Sequence, residues 1–113
     1  MAVKYERIKE RIDFEKIFKT GKTTIGRFVF LRAKKTENKS CRLCFVVGLR
    51  VSKKAVERNK TKRRIREIMG SLYPELKPNY DIVIIAKEEI LNKKYADIKD
   101  EIIKTIKNAK LFK

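Results

Sequence analysis

A chain of 113 residues has room for one compact domain, and its 42% hydrophobic content is enough for a modest core, which excludes disorder along its whole length. It carries 31 Lys and Arg against 14 Asp and Glu, a net charge of +17, so the expected partners are polyanions, nucleic acid before an anionic membrane. Histidine is absent, which removes the commonest general base and metal ligand.

Along the chain, the opening segment MAVKYERIKERIDF has no apolar stretch of the signal-peptide kind, and no run approaches the roughly 18 apolar residues of a membrane span. The expected compartment is therefore the cytoplasm. Asp13 precedes Phe14, Ile17 and Phe18, which share one helical face, and Gly21 follows as a helix stop. Residues 23–26 (TTIG) read as a short edge strand, and residues 28–35 (FVFLRAKK) as a full one. The polar turn TENKS then leads into a second long strand, residues 41–49 (CRLCFVVGL), and the two long strands are expected to pair as an antiparallel hairpin.

From about residue 54 to 69 the pattern turns helical, with Ile65, Ile68, Met69 and Leu72 as its apolar stripe and Gly70 and Pro74 as its stop. The turn Lys77-Pro78-Asn79 precedes YDIVIIAK (residues 80–87), a continuous apolar run that reads as a central buried strand. The last helix, about 96–109, has Ile98, Ile102, Ile106 and Ala109 on its core face. The expected class is α+β, with the helices covering one face of a mixed sheet.

Cys41 and Cys44 form a lone C-x-x-C. A structural zinc site needs four ligands, and neither a second pair nor a histidine is present to complete one. A redox pair needs a helix N-terminus, whereas this pair falls inside a strand pattern. Two packed, unreactive thiols are expected.

The charge is concentrated. Residues 50–66 hold nine cations (Arg50, Lys53, Lys54, Arg58, Lys60, Lys62, Arg63, Arg64 and Arg66) and a single acid, Glu57. Residues 81–113, in contrast, carry a net +2. On the middle helix Arg58, Lys62 and Arg66 form one row and Asn59, Arg63 and Arg66 its neighbour, giving one cationic face opposite the apolar stripe. Each i, i+4 pair of like charges costs about 0.2–0.5 kcal/mol of helix stability. A phosphate backbone offsets that cost through ion pairing and counterion release.

The run Arg58-Asn59-Lys60-Thr61-Lys62-Arg63-Arg64-Ile65-Arg66 resembles the R-N-x-x-K-R-x-x-R signature of bacterial ribonuclease P proteins, and Ala55-Val56 before it also fits. Arg7-Ile8-Lys9 followed by Asp13-Phe14, Phe18 and Gly21 is similar to the family's opening, and residues 80–87 to its fourth strand. An ungapped match puts Gly48-Leu49-Arg50 where members usually have Ser-Lys-Lys. The resemblance implies a single domain over residues 1–113. Its fold would be an αβββαβα two-layer sandwich like the second domain of small-subunit ribosomal protein S5, with a left-handed βαβ crossover.

The same resemblance implies a subunit of an endoribonuclease that releases the 5′ leader of precursor tRNA, with catalysis and its Mg²⁺ ions held by the RNA subunit. The chain itself offers no catalytic or metal-binding constellation. The implied partners are ribonuclease P RNA and precursor tRNA, with no membrane and no protein partner required. Arg58, Asn59, Lys62, Arg63 and Arg66 would bind the RNA subunit. Phe14, Phe18, Arg50, Lys54 and Lys87 would line a cleft for the leader, since single-stranded RNA stacks on aromatics beside cationic grooves. Glu88 stands where the family is often basic. The family's strand aromatic falls on Leu31 by counting, so either Phe30 takes its place or stacking on the strand is weaker. The alternatives are a small basic ribosomal or other structural RNA-binding protein, and a helix-turn-helix DNA binder, which would need a short helix before the basic one.

Overall fold

A computed structural model describes residues 5–113. The elements run β1 (Glu6–Arg7), α1 (Arg11–Thr20), β2 (Lys22–Ile25), β3 (Val29–Lys35), β4 (Arg42–Val46), α2 (Ala55–Leu72), β5 (Tyr80–Ala86) and α3 (Tyr95–Asn108). The class is α+β, as expected. The strands form one mixed sheet in the order β1-β4-β5-β3-β2.

The strand YDIVIIA is apolar on both faces, so it must be covered on both and flanked on both edges. It lies at the centre, antiparallel to β3 and parallel to β4. This corrects the expected hairpin: β5 inserts between β3 and β4, which do not pair with each other. The element ahead of the basic helix is β4, so the helix-turn-helix alternative fails. The last helix forms as expected, with Ile98, Ile102 and Ile106 fully buried.

The two sheet faces differ. Val29, Leu31 and Ala33 of β3, Leu43 and Phe45 of β4, and Ile82, Ile84 and Ala86 of β5 join Ile65, Ile68, Met69, Ile98, Ile102 and Ile106 in the main core under α2 and α3. The opposite face carries a smaller cluster of Ile8, Ile17 and Val83, with Phe14, Cys44 and Ile85 packed on it. Helix α1 therefore lies on the far side of the sheet from α2 and α3, and the helices do not share one face. An additional strand, β1, joins β4 in parallel at the sheet edge.

One helix end departs from expectation. Helix α2 runs through Gly70, which is buried within it, to Leu72, and a 3-10 turn (Tyr73–Glu75) carrying Pro74 ends it. Gly21 follows α1 as its stop, as expected, in an extended conformation at φ −73°. Its lack of a side chain is what matters, because a Cβ there would overlap the Ile17 carbonyl oxygen.

Candidate nucleic-acid interface

Helix α2 buries Thr61, Ile65, Ile68 and Met69 against the sheet. At roughly 100° per residue, Arg58 and Lys62 border that stripe and are half-buried, while Asn59, Arg63 and Arg66 point into solvent. The cationic face thus runs from the border of the apolar stripe, at Arg58 and Lys62, round to the side opposite it, at Arg63. Among the described residues, no cation of α2 forms an ion pair. The one acid of residues 50–66, Glu57, accepts a hydrogen bond from Ser52 Oγ at 2.6 Å, and Ser52 Oγ in turn accepts from the Lys54 N–H at 3.1 Å. Arg58 is partly committed to the fold, since its Nη1 donates to the Ser52 carbonyl at 3.0 Å. The four exposed or half-exposed groups Asn59, Lys62, Arg63 and Arg66 remain free for an anion.

The sheet register builds the second surface. Val46 pairs with Ile85, Ile85 with Phe30, and Phe30 with Ile25, so these side chains form one row across four strands on the α1 side. Helix α1 leaves the row uncovered: Ile25 is 74% and Val46 38% exposed, and Phe30 and Ile85 are half-buried. A groove of about 600 Å³ runs along the Val46-Ile85-Phe30 part of it, with Leu49, Arg50 and Lys87 and the acids Glu88 and Glu89 also in its lining. Leu31 points into the main core, so the aromatic that β3 offers to the groove is Phe30.

The row behind it, Cys44-Val83-Arg32-Thr23, lies beneath α1 and fixes the helix. Arg32 donates to the Ile17, Phe18 and Gly21 carbonyls at 3.2, 2.8 and 3.0 Å, and its guanidinium stands 5.7 Å from the Phe18 ring centroid. At the other end, Arg42 grips Asp81 with a two-bond fork at 2.8 and 2.6 Å and reaches Asp13 on α1 at 3.2 Å. The hydrogen bond to Asp81, partly opposed by desolvation, raises the Arg42 pKa further above its ordinary value. Asp81 is 2% exposed, so the acid is buried but fully paired. Ile17, fully buried, adds about 1.5–3 kcal/mol to the docking of α1.

The two phenylalanines divide. Phe14 is half-buried and packs on the small cluster under α1. Phe18 is 49% exposed, so it is not a core residue. Arg50 is exposed at the groove and Lys54 is exposed at the N-cap of α2. Lys87 borders the groove, but its ammonium is already held by the Gly26 carbonyl at 3.2 Å and by Glu89 at 3.5 Å. It is the least available of the expected cleft cations. Sequence reasoning missed Ile25, Val46, Ile85 and Arg32, which only the strand register brings together.

Cys41 faces the main core and Cys44 the opposite face, because positions three apart on a strand point to opposite sides. They cannot share a metal ion or a disulfide. Desolvation, reinforced by Asp81, pushes the Cys41 thiol up to about 12. Desolvation also raises Cys44, against the opposing pull of Lys62 and Arg7. Neither thiol is poised for nucleophilic chemistry. No helix among the described residues is long and apolar enough to cross a membrane.

A family model described as ribonuclease P matches residues 3–110. The chain is 35% identical over 116 residues to the ribonuclease P protein component of Listeria innocua, covering 100% of this chain and 94% of the relative. It is 35% identical over 113 residues to that of Geobacillus kaustophilus, covering 96% and 89%. Among solved structures, the RNase P protein of Staphylococcus aureus superposes with a TM-score of 0.87 at 30% identity, covering 97% of this chain and 100% of that one. The RNase P protein of Thermotoga maritima gives 0.81 at 30% identity, covering 92% and 97%. With matches of this extent in both sequence and fold, the chain belongs to the ribonuclease P protein family.

Proposed function

We propose that this chain, as the protein subunit of the ribonuclease P endoribonuclease, binds the RNA subunit through α2 and the 5′ leader of precursor tRNA through the open sheet face. The observation that carries the first half is the α2 face itself, a dense row of cations with no carboxylate partner among the described residues. Bringing these like charges together is unfavourable until an anion neutralises them, and a phosphate backbone supplies that neutralising charge. Arginine supplies forked contacts to phosphate oxygens that lysine cannot make.

The open face suits a single strand. Bases would lie on the Val46-Ile85-Phe30-Ile25 row and stack against Phe30 and Phe18, with Arg50 at the rim to meet the backbone. The site needs unpaired bases, which the 5′ leader of a precursor provides and the paired 5′ end of a mature tRNA does not. The described residues contain no group of three or more carboxylates, thiols or imidazoles arranged for a metal ion. The reading assigns Mg²⁺ and the hydrolytic step to the RNA. The compartment that fits this work is the cytoplasm.

The test is the salt dependence of binding to ribonuclease P RNA. If about six phosphates are neutralised, log affinity should fall with log salt at a slope of roughly −4 to −5.5. Arg63→Ala should make that slope shallower by about 0.7–0.9. Unchanged slopes for Lys62→Ala, Arg63→Ala and Arg66→Ala alike would remove α2 from the interface.

A further inference from the structure

Arg7 and Lys9 belong to none of the surfaces described so far. They flank Ile8, which is buried under α1 and whose N–H donates to the Leu43 carbonyl at 3.1 Å. The β1 register sets Arg7 beside Leu43, a residue of the main core, so Arg7 is turned to the α2 side of the sheet. Tyr5 points the same way. Its ring packs edge-on to Phe45 at 5.3 Å and tilted to Tyr73 at 6.5 Å. The Tyr73 hydroxyl donates to the Cys41 carbonyl at 2.5 Å and accepts from the Glu6 N–H at 3.4 Å. A two-residue strand is thus anchored on both sides against the sheet edge.

The result is a hollow of about 750 Å³ between β1 and α2, lined by Tyr5, Arg7, Lys9, Ser40, Arg66 and Tyr73, with Glu6 as its only acid. Arg7, Lys9 and Arg66 are all exposed there, and none forms an ion pair among the described residues. Three cations from two segments far apart in sequence converge on one concavity. Their mutual repulsion is relieved only by an anion placed between them.

We propose that Arg7, Lys9 and Arg66 form a phosphate-binding site for the backbone of the RNA subunit, extending the α2 face across to the sheet edge. This rests on the reading of α2 as the RNA-subunit surface. Phosphates of precursor tRNA have the same chemistry. The RNA subunit is favoured because the hollow opens on the α2 side, whereas the apolar row fitted to the leader is on the opposite face of the sheet.

The experiment compares the full-length protein with an Arg7→Gln/Lys9→Gln variant in binding to ribonuclease P RNA alone across a salt series. Losing two phosphate contacts should make the log–log slope shallower by about 1.4–1.8. Preassembled holoenzyme carrying the variant should bind precursor tRNA as the wild type does. The charge-keeping swap Arg7→Lys/Lys9→Arg should retain the wild-type slope. If the swap loses it too, the effect comes from displacing β1 and the proposal falls. A loss seen only with precursor tRNA assigns the site to the substrate and overturns the RNA-subunit assignment. If the double variant keeps the wild-type slope while Arg63→Gln makes it shallower, the β1 site is wrong and the α2 reading stands. If Arg63→Gln also leaves it unchanged, both fall together.

Discussion

Replacing Phe18 by leucine separates binding from packing. The ring is 49% exposed, and the Arg32 guanidinium stands 5.7 Å from its centroid. Leucine keeps apolar bulk against the sheet and removes the π face. The loss of stability is then confined to the cation–π term and some contact area, about 0.5–1.5 kcal/mol. A fully buried phenylalanine cut to alanine would cost about 3–5 kcal/mol. Stacking of a base on an aromatic ring is worth about 1–3 kcal/mol, so holoenzyme carrying Phe18→Leu should bind precursor tRNA about 5- to 150-fold more weakly. Mature tRNA, which has no leader, should bind nearly as before. The assay is equilibrium binding of both tRNAs to reconstituted holoenzyme, with a thermal melt of the free protein beside it. If both affinities stay at wild-type values, or fall equally as the melting temperature drops, Phe18 does not contact the leader.

Asp81→Ala leaves Arg42 with Asp13 as its carboxylate partner on the sheet face beneath α1. Removing one partner of a buried pair should cost about 3 kcal/mol, or roughly 10–15 °C in melting temperature; an unchanged melt would show that the pair does not hold α1. The Cys41 thiol, raised from 9.0 to about 12, ionises in the unfolded chain before the folded one. Its contribution to stability is complete below pH 9 and is lost as pH rises toward 12, at up to about 1.4 kcal/mol per pH unit. Urea unfolding at pH 8.5 and 10.5 should show a loss about 2 kcal/mol smaller in Cys41→Ala than in the wild type; equal losses would contradict the burial of that thiol.

The cationic helix was legible because everything that defines it is local: its spacing, its charge and its apolar stripe lie within one run of residues. Its orientation was not, since only packing shows that Arg58 and Lys62 border the sheet while Arg63 and Arg66 face outward. The central place of β5 followed from its unbroken apolar run. The same fact rules out a β3–β4 hairpin, because a strand buried on both edges separates its neighbours. Turn chemistry between two strands signals that they reverse direction, not that they pair. Strand β1 carried no pattern of its own; Tyr5 and Ile8 on opposite faces hold it in place. The platform of Ile25, Phe30, Ile85 and Val46 is a product of register, which brings together four strands that are spread over the chain.

Reconstitution tests the central claim most directly. The protein is mixed with ribonuclease P RNA at a Mg²⁺ concentration too low for the RNA alone, and release of the 5′ leader from precursor tRNA is followed in time. The account predicts leader release when both components are present, none from the protein alone, and a rate that falls when Arg63 and Arg66 are replaced together. Leader release no faster with the protein than without it, or sustained cleavage by nuclease-free protein in the absence of the RNA, would contradict it.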